Sequence, residues 1–185
     1  MPIATRSICV FCGARNGHDP VHAAAALDTG NMIAHQGWRL VYGAGDVGLM
    51  GLVAEGAHKA GAETFGVIPT HLMGRERARE TLSTMVVTSN MHERKTVMFM
   101  NSDAIVVLPG GAGSLDEFFE VLTWRQIGLH SKPIFLLDVN GYWQPLMGLI
   151  DHVIAHGFAE AGIRDFIELV PDVATLEQRL KVAFD

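Results

Sequence analysis

Seven short apolar runs alternate with six stretches of helical spacing, and this alternation constrains the fold more than any single residue does. The spacing predicts strands at Ser7–Cys12, Arg39–Tyr42, Thr64–Ile68, Met85–Thr88, Ala104–Leu108, Pro133–Leu137 and Ile167–Val170. It predicts helices at Pro20–His35, Val47–Ala60, Met91–Asn101, Ser114–Ile127, Tyr142–His156 and Val173–Val182. The runs are rich in Val and Ile with little polar alternation, as expected of parallel strands covered on both faces. Right-handed crossovers then give a doubly wound, Rossmann-like α/β sheet of about seven strands with helices on both faces. With no repeat, low-complexity tract or linker in 185 residues, a single α/β domain over 1–185 is expected.

Composition excludes several classes. No apolar run approaches the ~20 residues of a membrane span, and Met1 to Gly13 lacks the apolar core of a signal peptide. A net charge of −6 argues against a nucleic-acid surface. The expectation is a soluble cytoplasmic protein with no membrane or nucleic-acid partner. Cys9 and Cys12 are the only cysteines. Their C-x-x-C spacing suggests a redox pair or half a metal site. On a strand, however, residues three apart face opposite sides, so the better reading is two separate thiols and no metal.

Three glycine-bearing loops follow predicted strands and open at the carboxyl edge of the sheet, where open α/β folds bind ligands. They are Gly13–Gly17, Gly43–Gly48 and Pro109–Ser114. The second is a literal G-x-G-x-x-G, but a dinucleotide site also needs an acid at the end of the next strand, roughly 20 residues on. The nearest acid, Glu63, precedes that strand instead. Turning and helix–sheet contact explain these glycines better than NAD does. The third, Pro109-Gly110-Gly111-Ala112-Gly113-Ser114-Leu115-Asp116-Glu117, places glycines where a strand meets a helix N-terminus, a natural anion site. Asp116 and Glu117 add carboxylates to the expected first helical turn, as a site for a phosphorylated sugar would require.

Three local ambiguities stand in the residues themselves. Ser114 and Glu117 have the spacing of a capping box, which would turn Glu117 back onto its own backbone and away from substrate. Arg94 and Lys95 lie near a predicted helix start, where cations oppose the dipole. They either face a bound anion or form a solvated basic turn. His152 and His156 share a predicted helix face, but without a third ligand they read as surface residues. Phe118, Phe119, Trp124, Trp143 and Met147 either pack within one subunit or contribute to an oligomer face.

Several segments together resemble the LOG family, the cytokinin riboside 5′-monophosphate phosphoribohydrolases. Pro109 to Glu117 matches the family's P-G-G-x-G-T-x-x-E signature with Ser114 for Thr, and Met91-His92-Glu93-Arg94-Lys95 matches M-H-x-R-K. Cys9 to Gly13, Val41 to Gly45 and Gly48 to Gly51 resemble its first two strand–loop units. Leu72 to Glu76, Thr123 to Gln126 and His130 to Pro133 extend the similarity over nearly the whole chain.

The resemblance implies a nucleotide-binding domain that cleaves the N-glycosidic bond of a purine nucleoside 5′-monophosphate, releasing free base and ribose 5-phosphate. It implies no redox cofactor and a homodimer or larger homo-oligomer. It makes Arg94 and Glu117 the catalytic pair. It assigns phosphate and substrate binding to Gly110, Gly111, Ala112, Gly113, Ser114, Leu115 and Asp116, with Glu76, Lys95 and Thr123 also lining the site. Ala44 and Ala14 replace a usual glycine and serine, and Asp116 is shorter than the usual Glu. Three rival readings are a non-catalytic nucleotide or molybdenum-cofactor carrier, an NAD-dependent oxidoreductase, and a lysine decarboxylase. The last would need a lysine Schiff base with pyridoxal phosphate.

Overall fold

The predicted alternation closes into one sheet. The computed structural model describes residues 6–73 and 82–185. Strands β1 (Ser7–Phe11), β2 (Arg39–Tyr42), β3 (Thr64–Pro69), β4 (Thr84–Thr88), β5 (Ala104–Val107), β6 (Ile134–Leu137) and β7 (Ile167–Val170) pair in the order β4-β3-β2-β1-β5-β6-β7. Every pairing is parallel. The helices are α1 (Pro20–His35), α2 (Gly48–Lys59), α3 (Met91–Met100), α4 (Ala112–Gln126), α5 (Gln144–Ala155) and α6 (Val173–Phe184).

Strand periodicity divides the core in two. Ile8, Val10, Leu40, Tyr42, Ala104 and Val106 face one side, where α1, α2 and α6 pack. Cys9, Phe11, Val41, Ile105 and Val107 face the other, against α3, α4 and α5. From β1 the sheet grows outward through β2, β3 and β4. Helix α3 then carries the chain back to β5 on the far side of β1, and growth reverses. Since all crossovers have one hand, the reversal puts α3, α4 and α5 on the opposite face. It also leaves a crevice at the carboxyl ends of β1 and β5, where ligands bind in such folds. The register there is set by Phe11 opposite Val107.

Helices α1 and α2 approach to backbone contact. A Cβ at Gly30 would lie 2.1 Å from the Val53 carbonyl oxygen, and one at Gly56 would lie 2.2 Å from that of Leu27. These glycines sit within helices despite their low helix propensity because nothing larger fits.

Most expected elements occur within a residue or two of their predicted bounds, with two informative corrections. The helix expected from Ser114 begins at Ala112, with extended Gly111 as its N-cap. The first turn needs no N–H partners, so small residues can enter it ahead of a serine. The helix expected from Tyr142 begins at Gln144. Asn140 takes the left-handed conformation (φ 54°) within a tight turn over Val139–Gly141, and the Asp138 carboxylate accepts the Trp143 N–H at 2.6 Å. Thr70–Leu72 forms one short 3-10 turn. Arg75, Glu76, Arg77, Arg79 and Glu80 lie outside the described residues.

Candidate active site

A cleft of about 540 Å³ opens at the β1/β5 switch point. The loop after β1 and the glycine loop after β5 form its walls, with Arg94 from α3, Glu117 from α4 and Tyr142 from the loop after β6.

The glycine loop presents donors because its carbonyls are occupied elsewhere. The Pro109 carbonyl accepts the Gly13 N–H at 3.0 Å, and the Gly111 carbonyl accepts the Leu115 N–H at 3.0 Å. Between them, the Gly110 carbonyl accepts the Tyr142 hydroxyl at 2.6 Å. The Leu115 bond is the first of the helix, so the N–H groups of Ala112, Gly113 and Ser114 precede any intrahelical partner. They form an anion-binding end reinforced by the helix dipole. A Cβ at Gly110 would lie 2.0 Å from Ser114 Oγ, so only glycine lets this buried hydroxyl fold against the loop.

These positions correct the capping-box expectation. Ser114 is the third helical residue rather than the N-cap, and Asp116 and Glu117 fall in the second turn. A carboxylate in that turn cannot reach back to cap its own first turn. Glu117 instead lines the cleft, half-buried. A capping box of related form occurs on α3. There the Asn90 side chain accepts the Glu93 N–H at 2.9 Å, and Glu93 accepts the Ser89 N–H at 2.8 Å.

Arg94 and Lys95 are both buried, which excludes a solvated turn. Arg94 Nη2 donates to the Gly43 carbonyl at 2.7 Å and Nε to the Val67 carbonyl at 3.1 Å. Both acceptors are backbone carbonyls, and these bonds orient the guanidinium. A Cβ at Gly43 would lie 2.1 Å from Nη2. The first glycine of the dinucleotide-like motif is therefore the seat of Arg94. Gly48 (φ 60°) fits against the backbone of Ala14 and Arg15, so its role is close packing. Glu63, which precedes β3, approaches Arg39 at the opposite edge of the sheet, 3.8 Å away. Ala44 holds a left-handed φ of 63° where glycine would be unstrained.

Lys95 turns away from the cleft. Its ammonium binds Asp116 at 2.9 Å and also binds Glu120. Burial works against its charge, but the two carboxylates outweigh burial and hold its pKa above the ordinary lysine value. Cys9 and Cys12 are free and pack toward opposite cores, as strand geometry requires. Burial pushes both thiols well up, and the Glu117 charge adds to the effect.

Of the residues singled out in the sequence, the structure brings Arg94, Gly110, Gly111, Gly113, Ser114, Asp116 and Glu117 to one cleft. Ala112 begins the helix, exposed, and Leu115 packs against the core. Thr123 lies on another face of α4. There it joins Phe119, Leu122, Gln126, Leu149 and Phe158 around an apolar groove of about 240 Å³. Phe118, Trp143 and Met147 are buried within the subunit, whereas Phe119 is exposed. Among the described residues no lysine lines the cleft. Tyr142 and His22 line it too, and neither was picked out beforehand. The signal for Tyr142 was its place after a strand that ends at the same edge.

Known proteins resemble the chain in sequence and in fold. A family model described as "possible lysine decarboxylase" matches residues 50–180. A probable cytokinin riboside 5′-monophosphate phosphoribohydrolase of Oryza sativa subsp. japonica is 43% identical over 176 residues, 95% of this chain and 72% of that protein. A cytokinin riboside 5′-monophosphate phosphoribohydrolase of Arabidopsis thaliana is 42% identical over 176 residues, covering 95% and 82%. Among solved structures, the molybdenum cofactor binding protein of Rippkaea orientalis superposes with a TM-score of 0.77 over 99% of both chains. At 21% identity, that likeness shows the fold alone.

Proposed function

The chain belongs to the LOG family of cytokinin riboside 5′-monophosphate phosphoribohydrolases, and from that premise we propose how its cleft works on a purine nucleoside 5′-monophosphate. The reaction is hydrolysis of the N-glycosidic bond to free base and ribose 5-phosphate, with the whole chain acting as one nucleotide-binding unit. One observation carries the reading: a donor-only helix N-terminus, a buried arginine on neutral carbonyls and a half-buried carboxylate share one cleft.

The phosphate sits on the first turn of α4, against Gly111, Ala112, Gly113 and Ser114. Phosphate binding energy then positions the distant anomeric carbon. As the bond to the base lengthens, positive charge grows on the ribose ring, as in glycoside hydrolysis generally. Glu117, one turn further along α4, stabilises that charge or orients the attacking water. Arg94 orients Glu117 or assists the departing base. Lys95 contributes indirectly, by fixing Asp116 and Glu120 and so the seating of α4 on α3. The decarboxylase description in the family's name fits this cleft poorly, because a Schiff base needs a lysine there.

The assembly we propose is a homodimer or larger homo-oligomer that buries the α4–α5 groove. In support, Phe119, Leu149 and Phe158 are 38%, 50% and 85% exposed around it. A second copy seated there would let Thr123 line its partner's nucleotide site. We place the protein in the cytoplasm. No described helix is long and apolar enough to cross a membrane, and two free thiols suit a reducing compartment.

The test is incubation of the purified protein with AMP and with isopentenyladenosine monophosphate, following free base by chromatography. Release by wild type and not by Glu117→Gln is expected. Bound but uncleaved nucleotide would instead favour a carrier.

A further inference from the structure

The loop after β6 belongs to none of the glycine motifs, yet it delivers one hydroxyl to the glycine loop. Three successive carbonyls, Pro109, Gly110 and Gly111, accept hydrogen bonds, and only the middle one takes a side-chain donor, Tyr142. The Gly110–Gly111 peptide is the one that most needs holding. It has glycine on both sides; Gly110 is packed against Ser114, but a Cβ at Gly111 would meet nothing within 4 Å, so packing does not hold the Gly111 side. In a trans peptide the C=O and N–H point opposite ways. A flip would replace a donor facing the anion site with an oxygen, and two oxygens repel.

Resting on the nucleotide reading above, we propose that Tyr142 is a positioning residue for the substrate phosphate. Its hydroxyl draws the Gly110 carbonyl aside and keeps the Gly111 N–H available to the anion. The surroundings hold the phenol in place for this. Trp143, the next residue, is 3% exposed and donates its N–H to Asp138. Asn140 donates to Asp19 at 3.0 Å, and Asp19 also accepts the Val21 N–H at the start of α1. The Tyr142 ring meets Trp143 and His22 edge-on, with centroids 4.8 and 5.5 Å away. Tyr142 itself is 41% exposed, so core packing does not account for where its hydroxyl points.

The experiment uses Tyr142→Phe, which keeps the ring and removes only the hydroxyl. Steady-state constants for AMP are measured beside calorimetric binding of inorganic phosphate and of adenosine to the same preparations. Loss of one well-aligned hydrogen bond should weaken phosphate binding and raise KM for AMP by about tenfold, with kcat moving less. Adenosine affinity should not move, because adenosine has no phosphate for the loop to hold. Unchanged phosphate affinity would overturn the proposal. Equal weakening of phosphate and adenosine would also overturn it, since that is the mark of a general structural role. If wild type cleaves no AMP, the hydrolase reading fails separately, and phosphate affinity still decides the role of Tyr142.

Discussion

Helix α4 borders two hollows, and only one of them holds charged side chains. Toward the cleft it turns Ser114 and Glu117, three residues apart; toward the groove it turns Phe119, Leu122, Thr123 and Gln126 at helical spacing. The cleft sets a buried cation and the first-turn N–H groups of α4 beside apolar side chains such as Phe11, Met50 and Met98. The groove is lined by apolar side chains from α4, α5 and the segment after α5, without a charged residue. A buried cation that lines a cleft can act on a ligand there, whereas an exposed apolar surface is stabilised only by being covered. Neighbouring Arg94 and Lys95 diverge in the same way: one lines the cleft, and the other turns to Asp116 and Glu120.

The contrast can be broken from the cleft side first. Glu117→Gln should cut base release by about a thousandfold, the scale of a lost catalytic carboxylate, with the mass in solution unchanged. Gly43→Ala comes next. Its methyl would displace the Arg94 guanidinium, and misplacing a catalytic group by about 1 Å costs on the order of a hundredfold in rate. A retained rate would show that the seat of Arg94 is dispensable.

From the groove side, Phe158→Asp should weaken self-association by about thirtyfold, read by sedimentation velocity at low micromolar concentration. The rate per chain should fall in step with the mass, because Thr123 would no longer reach a partner's cleft. A full rate from monomers would show the two regions to be independent. Lys95→Met should leave Glu120 without its cation and cost about 2 kcal/mol in denaturant unfolding. The Lys95 pKa is raised in the folded state, so its stabilisation is complete below about pH 10 and is lost as pH climbs through the folded value. The smallest effect concerns the thiols. Both are raised by burial, so their contribution is full below about pH 8.5 and declines above it as the unfolded thiols ionise. Melting temperature should fall less steeply above that pH in Cys12→Ala.

The layer order, the switch point and the place of the glycine loop were legible because they rest on periodicity and on glycine at strand ends. The start of α4 was misplaced because a serine followed by a glutamate three residues later resembles a cap, while Ala112 and Gly113 give no helix signal. The seat of Arg94 left no trace in residue type, since backbone carbonyls do the holding and a missing Cβ makes the room. Lys95 was expected beside substrate by resemblance, but only the packing of α3 on α4 brings it to Asp116 and Glu120. Tyr142 was invisible for a similar reason: its partner is a carbonyl 32 residues away in the chain.

The most direct measurement is kcat/KM for AMP against adenosine in one assay of free adenine. If phosphate held on the first turn of α4 places the anomeric carbon beside Glu117, AMP should be preferred by about a thousandfold or more. Equal cleavage of the two would contradict the assignment of the glycine loop, and with it the division between the two sides of α4.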